Sequence, residues 1–284
     1  GQALNWGILG AGVRANDAAM REAMLAQDCL STVIELDPKG KRARRVGAMV
    51  GFIEVTPDNA PLIAAMARPE IRIVSLTVTE GGYFISTATG SFDETVAEIA
   101  ADAAHPDRPA TAFGAIVAAL KLRRASDTPP FTVMSCDNLP GNGTVTRAAV
   151  VGLARLSDPA LADWIDTHVS FPNGMVDRIT PATGARERAL AASFGLADDP
   201  VPVTCEPFRQ WVVEDHFPQG RPPFEQVGVT FSDHVHAYEA MKIRILNGGH
   251  AIIAYPGGLM DIEFVHEAMA HPLVSGFLDK VERE

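Results

Sequence analysis

Asn5-Trp6-Gly7-Ile8-Leu9-Gly10-Ala11-Gly12-Val13-Arg14-Ala15 decides the fold. A short apolar run enters a glycine-rich turn, and Asp17 to Gln27 then carries apolar residues at helical spacing, so strand, loop and helix follow one another. The pattern recurs downstream. Ser31 to Leu36 and Ile71 to Val78 are β-branched runs expected as strands. Pro57 to Ala67, Phe92 to Ala104 and Thr111 to Arg124 are expected as helices, and Phe131 to Ser135 as a buried strand. Strands alternating with helices need right-handed crossovers, which predicts an α/β fold with a mostly parallel, doubly wound sheet. Beyond Asn138 the pattern turns helical, in Gly143 to Leu156 and Pro159 to His168, with strand runs only at Pro202 to Cys205 and Gln226 to Phe231. His234 to Tyr255 reads as one long helical stretch broken at Gly248-Gly249, so a second, helix-rich domain begins in the 200 to 230 region.

The chain has 284 residues, 47% of them hydrophobic and 21% charged, enough to bury a sizeable core. A net charge of -11 argues against nucleic acid or an anionic membrane as partner, because both demand a basic face. A small neutral ligand fits better. No apolar run approaches the ~20 residues that span a bilayer, and no signal segment opens the chain, so a cytoplasmic location is expected. Cys29, Cys136 and Cys205 are far apart and lack metal-ligand or disulfide spacing. They are expected as small buried hydrophobes. The basic run Lys41 to Arg45 is expected as a solvated loop face.

Three constellations could carry chemistry. Gly10-Ala11-Gly12 with Ala15 satisfies a loose dinucleotide pattern, in which glycines let a pyrophosphate approach backbone amides, but a tight strand-helix turn explains it as well. Phe131 to Asn142, FTVMSCDNLPGN, sets Asp137 and Asn138 at the C-terminal edge of a strand, where ligands of open α/β sheets bind. Loop capping is the alternative for both residues. In His168 to Pro181, HVSFPNGMVDRITP, Asp177-Arg178 reads either as a site or as a structural ion pair. In the last third, Lys242, Asn247 and His250 share one broad face of a helix, at about 140° and 80° from Lys242 on an α-helical wheel. A lysine desolvated beside Ile243, Ile245 and Leu246 could accept a proton from an alcohol. An amphipathic surface helix with Lys242 in water is the alternative.

Taken together, SCDNLPGNG, SFPNGMVDRITP, WGILGAGVRANDAAM, IRIVSLTVTEGGY, CEPFRQWVVED and MKIRILNGGH resemble the polyol-specific long-chain dehydrogenase/reductase family, of the mannitol 2-dehydrogenase type. The resemblance covers nearly the whole chain. It implies a Rossmann-like NAD-binding domain over residues 1–225 and the start of a helical substrate domain over 226–284. It further implies a catalytic lysine at Lys242, oxyanion donors at Asn138 and Asn247, a substrate-orienting histidine at His250 and a substrate-side aspartate at Asp177. Family chains carry an earlier strand with its own glycine turn, so Gly10 and Gly12 match a second strand-end loop, and Asp17 matches the residue that recognises the adenosine ribose. A carboxylate there favours NAD over NADP, although Asn16 stands where some members are acidic. The family also continues through a longer helical region, so the chain is expected to lack segments at both ends.

The implied activity is metal-free oxidation of a secondary alcohol of a linear polyol, of the mannitol or arabinitol type, to a ketose, with hydride passing to NAD. A hexuronate reductase of the fructuronate or tagaturonate type is the nearest alternative, and a non-catalytic nucleotide-binding relative is another.

Overall fold

A computed structural model of the chain describes residues 5–37, 39–86 and 88–283. It falls into two compact units, one ending at Asp233 and the other starting at His234. The first unit opens with β1 (Ile8–Gly10), α1 (Asp17–Leu25), β2 (Ser31–Asp37), β3 (Gly40–Val46), β4 (Met49–Phe52), α2 (Ala60–Ala67), β5 (Ile73–Leu76), α3 (Ala97–Ala104) and α4 (Ala112–Ala125). It continues with β6 (Thr132–Ser135), α5 (Asn142–Ser157), α6 (Pro159–His168), β7 (Gly174–Asp177), α7 (Ala185–Ser193), β8 (Val203–Cys205), β9 (Gln210–Val213) and β10 (Thr230–Phe231). The second holds α8 (Val235–Met241), a π-helical turn (Lys242–Asn247), α9 (Gly248–Leu259), α10 (Val265–Ala270) and α11 (Pro272–Arg283).

Parallel pairing dominates the first unit, as the alternation of strands and helices requires. β1 pairs with β4, β5 with β6, β2 with β8 and β9 with β10, all parallel. The antiparallel pairs are β2 with β3 and β7 with β9. The β2–β3 ribbon corrects the reading of Lys41 to Arg45 as a loop: the basic run is a strand, in register from Ser31↔Val46 to Asp37↔Gly40. Its cross-strand partners Val33 and Ile34 supply a β-branched template that local charge does not override. Gln226 to Phe231 also departs from expectation, being a 3-10 turn (Phe224–Val227) followed by the two-residue β10.

The main core lies where α2, α4, α5 and α6 pack with β5 and β6. Phe113, Ile116, Leu120, Phe131, Val133, Val150, Leu161 and Ile165 are fully buried there, each contributing about 1.5–3 kcal/mol by leaving water. Helix ends are specified locally. Thr111 caps α4 by accepting from Gly114 N at 3.0 Å, and Asp158 caps α6 by accepting from Leu161 N at 2.9 Å, with Pro159 preset for the first turn. Arg123, on α4, is wholly buried without a carboxylate partner within the core. Its guanidinium donates to the carbonyls of Met66 (2.8 Å), Pro129 (2.5 Å), Ile71 (2.5 Å) and Arg68, and lies 4.8 Å from the Phe131 ring centre. Those bonds tie the end of α2 and the chain entering β5 to the chain entering β6.

In the second unit Ile253, Ala268, Val274 and Leu278 form a small core between α9, α10 and α11. Gly248-Gly249 does not break the helix here: both residues start α9, directly after the π-turn. Gly249 is buried, and a Cβ on it would sit 3.4 Å from Leu278 and 3.1 Å from Glu282, so the missing side chain serves close packing against α11.

Candidate functional site

The C-terminal ends of the neighbouring parallel strands β5 and β6 are joined by one side chain. The Asp137 carboxylate accepts from Val78 N (2.9 Å), Thr79 N (3.0 Å) and the Tyr83 hydroxyl (2.7 Å). Tyr83 Oη also lies 2.5 Å from Ser135 Oγ, which accepts from Asp137 N at 3.3 Å. Tyr83 is wholly buried against Phe113, ring centres 5.5 Å apart. Burial, then the hydrogen bond to Asp137, drives its pKa up, so the phenol remains a donor. Burial also pushes the Cys136 thiol up to about 11, with the Asp137 charge adding to it. Asp137 is thus a loop anchor, while its neighbour Asn138 is exposed at the strand end.

The two motifs that flank this edge interlock. Asn142 donates to the carbonyls of Ser135 (3.3 Å) and Asp137 (3.2 Å) and accepts from Gly174 N (2.8 Å), so it bridges β6 to β7. Asn173 accepts from Thr144 N (3.0 Å) in the first turn of α5, and the Glu214 carboxylate accepts from Asn173 N (2.7 Å). Gly143 must be glycine, because a Cβ there would lie 2.5 Å from the carbonyl oxygens of Phe171 and Pro172. Asp177, the last residue of β7, is half-buried opposite Gln210. Arg178 makes an ion pair with Glu35 (2.9 Å) and donates to the Glu206 carbonyl, while the Glu206 carboxylate accepts from Ile179 N (2.6 Å). The chain leaving Asp177 is therefore fixed on both sides.

The glycine loop follows β1, in the parallel pair with β4. Asp17 begins α1, and its Oδ2 accepts from Val13 N (3.0 Å) and Arg14 N (2.9 Å), which closes the turn. A Cβ on Gly12 would collide with the Asp17 side chain, and one on Gly10 would lie 2.5 Å from the Phe52 ring. Both glycines are required by these contacts. Val13 packs onto the core that carries β6, which sets the loop beside the same sheet.

In the helical unit, Lys242 and Asn247 stand at the ends of the π-turn, and His250 follows in the first turn of α9. A π-turn closes from residue i to i+5, so residues five apart stack along one face, whereas an α-helix would separate them by about 140°. Lys242 is half-buried, and Asn247 and His250 are exposed. The apolar surroundings expected for Lys242 are not found: Ile243, Ile245 and Leu246 are 46%, 54% and 41% exposed, since the unit's core faces α10 and α11 instead.

The structure thus brings Asn138 and Asp177 to the ends of segments bridged by Asn142, sets Asp17, Gly10 and Gly12 in one turn, and sets Lys242 and Asn247 on one π-turn. Tyr83, Ser135 and Asn142 support these positions and were not singled out from sequence, while Arg178, read with Asp177 as a site or an ion pair, makes its ion pair with Glu35. Asn142 could have been found from its place beside the glycine of PGNG, since a close backbone approach needs a nearby donor and acceptor. Among the described residues no three His, Cys, Asp or Glu side chains are gathered to hold a metal, and no helix is long and apolar enough to cross a membrane.

Residues 2–226 match the family model described as the mannitol dehydrogenase Rossmann domain, and residues 234–284 match that of the mannitol dehydrogenase C-terminal domain. A mannitol 2-dehydrogenase of Cereibacter sphaeroides is 72% identical over 284 residues, which is 100% of this chain and 59% of that protein. The crystal structure of a D-sorbitol dehydrogenase in substrate-free form matches with a TM-score of 0.92 at 42% identity, over 98% of this chain and 58% of the other. The Pseudomonas fluorescens mannitol 2-dehydrogenase in ternary complex with NAD and D-mannitol matches with a TM-score of 0.88 at 49% identity, over 98% and 57%. The chain therefore spans less than two thirds of the length of each of these relatives.

Proposed function

The chain belongs to the mannitol dehydrogenase family, and from that premise we propose that it serves an NAD-dependent polyol dehydrogenase which oxidises a secondary alcohol of a linear polyol, mannitol first among them, to a ketose. The observation that carries this reading is the π-turn with Lys242 at one end and Asn247 at the other. An alcohol that loses hydride from carbon must also lose its hydroxyl proton, and the Lys242 amine takes that proton as general base. Asn138 and Asn247 donate hydrogen bonds to the alcohol oxygen as negative charge develops on it, and each donor contributes about 2.7–4 kcal/mol by analogy with other oxyanion donors. His250 and Asp177 orient the substrate's hydroxyl groups. NAD, when bound, accepts the hydride.

The residues present suit the adenosine end of that cofactor. Asp17 is half-buried at the start of α1, after the turn that follows the parallel strand β1, with its carboxylate held in place by the Val13 and Arg14 amides. A ribose hydroxyl can donate to a carboxylate so placed, while a 2′-phosphate is repelled by it. Identity of 72% to a mannitol 2-dehydrogenase supports a polyol over a uronate as substrate.

The test is direct. The full-length protein is incubated with mannitol or arabinitol and NAD or NADP, or with a keto hexuronate and NADH or NADPH, and reduced nicotinamide is followed by absorbance. Turnover of a neutral polyol with NAD by the full-length protein, at about 1–1000 per second, is the expected result. Reduction of hexuronates without polyol oxidation, or cofactor binding without turnover, would overturn it.

A further inference from the structure

Asp137 hydrogen-bonds back to itself through two other side chains. Its backbone N–H donates to Ser135 Oγ (3.3 Å), Ser135 Oγ meets Tyr83 Oη (2.5 Å), and Tyr83 Oη donates to Asp137 Oδ2 (2.7 Å). With Tyr83 donating to the carboxylate, the Ser135 hydroxyl donates to Tyr83, and the bonds run in one direction around a closed ring. The remaining Asp137 groups are also engaged. Val78 N and Thr79 N donate to the carboxylate, and Leu139 N and Asn142 Nδ2 donate to the carbonyl.

The loop on the other side of the ring is held under tension. Tyr83 ends a short 3-10 turn (Glu80–Tyr83) flanked by Thr79 at φ 65° and Phe84 at φ 53°. Both residues carry side chains in a region that L residues avoid, and a β-branched residue avoids it most. Such a backbone persists only where its surroundings over-determine it, and Asp137 accepts from both Thr79 N and Tyr83.

We propose that Asp137 is a positioning residue, whose ring with Ser135 and Tyr83 locks the loop after β5 to the loop after β6 and thereby aims the next residue, Asn138. This rests on the proposed oxyanion role of Asn138. A donor displaced by about 1 Å loses most of its value to a transition state, so the lock is felt in turnover rather than in affinity.

The experiment compares Tyr83→Phe and Asp137→Asn with Asp102→Asn in the whole protein, by hydrogen-deuterium exchange and steady-state kinetics. Tyr83→Phe opens the ring and leaves the Val78 and Thr79 bonds in place. Asp102 is a control from neither loop: its carboxylate accepts from Ala110 N (2.7 Å), Thr111 N (3.1 Å) and Thr111 Oγ1 (2.6 Å) between α3 and α4. Peptides covering 77–84 and 135–142 should exchange faster together in Tyr83→Phe, and more so in Asp137→Asn. The kcat of folded enzyme should fall about 10- to 100-fold while KM stays within about twofold. Asp102→Asn should lose thermal stability with neither change. Faster exchange in only one loop, or kcat per folded enzyme within about twofold of the parent in both ring variants, would overturn the proposal. If the unsubstituted protein oxidises no polyol, the proposed function falls, while the exchange measurement still decides whether the loops are locked.

Discussion

Lys242 and Asn247 bracket a single π-helical turn, five positions apart in a helical run that is otherwise continuous from α8 into α9. The turn contains one residue more than an α-turn, and that residue converts an oblique pair into a stacked one. Deleting Ile245 should let the segment wind as an α-helix with the pair four apart, about 40° around the axis and still on one face. Circular dichroism should show undiminished helicity, and kcat for polyol oxidation should stay within about tenfold of the parent, because the shared face is kept. A loss of about 100-fold or more would mean that a shared face is not what the π-turn supplies to Lys242 and Asn247.

Lys242→Ala tests the base itself. Removal of a general base costs about 10²- to 10⁴-fold in rate, and added primary amines should restore part of the loss in proportion to their basicity. A variant with near-parental kcat and an unchanged pH profile would redirect the search to His250, which lies one α-helical turn beyond the π-turn.

The strands and helices of the first unit were legible because their signals are local: β-branched runs, helical periodicity and glycine turns. Two departures have the same physical origin. Lys41 to Arg45 looks like a solvated loop until Ser31 to Asp37 supplies a strand to pair with, and Gly248-Gly249 looks like a helix stop until α11 supplies a surface that needs Gly249 to lack a side chain. Asp137 shows the limit most clearly. Its chemistry is visible in SCDN, yet its main partners, Val78, Thr79 and Tyr83, lie 54 to 59 residues away in sequence. The apolar neighbours of Lys242 suggested burial from periodicity alone, but periodicity does not say which apolar face a small three-helix core uses.

Asp17 serves two purposes that one substitution can separate. Its carboxylate closes the turn through Val13 N and Arg14 N, and the same charge is the proposed discriminator against a 2′-phosphate. Asp17→Asn keeps an acceptor for the turn and removes the charge, so the ratio of kcat/KM for NAD to that for NADP should narrow with little loss of stability. Asp17→Ala should narrow the ratio and also raise KM for both cofactors, because the turn loosens. An unchanged ratio in both variants would remove Asp17 from the cofactor site.

Cys136 should be inert. The thiolate is the reactive form, and burial together with the Asp137 charge pushes this thiol up to about 11. At pH 8 iodoacetamide should label the native protein at Cys136 far more slowly than the unfolded chain, where a thiol titrates near about 8.5. Because the folded state holds the proton to higher pH, this group's contribution to stability is complete below about 8.5 and is lost as pH rises through about 11. Rapid alkylation of folded protein at pH 8 would show that the segment opens readily.

Arg123 carries the largest single-residue stability effect we expect. Its guanidinium satisfies carbonyls from Met66, Arg68, Ile71 and Pro129 at once, in a site sealed from water and floored by the Phe131 ring. Arg123→Met fills much of the same volume but strips the donor from the Met66 and Ile71 carbonyls, while Arg68 O still accepts from Ile71 N (3.2 Å) and Pro129 O from Gln219 Nε2 (3.1 Å). Each orphaned buried acceptor costs about 1–3 kcal/mol. Burial lowers the guanidinium's own pKa, and Glu70 opposes that, so part of the loss is offset by no longer desolvating a charge. A net destabilisation of about 2 kcal/mol remains, since the Met66 and Ile71 carbonyls lose their donor while Thr132 N to the Arg72 carbonyl still ties the entries of β5 and β6 together. Arg123→Lys should recover only a fraction, because a single ammonium cannot reproduce a planar fork that reaches acceptors on several sides. Urea unfolding should show both variants with lower midpoints and an unchanged slope, Met below Lys. A midpoint for Arg123→Met equal to that of the parent would mean that water or a backbone shift satisfies these carbonyls when the guanidinium is gone.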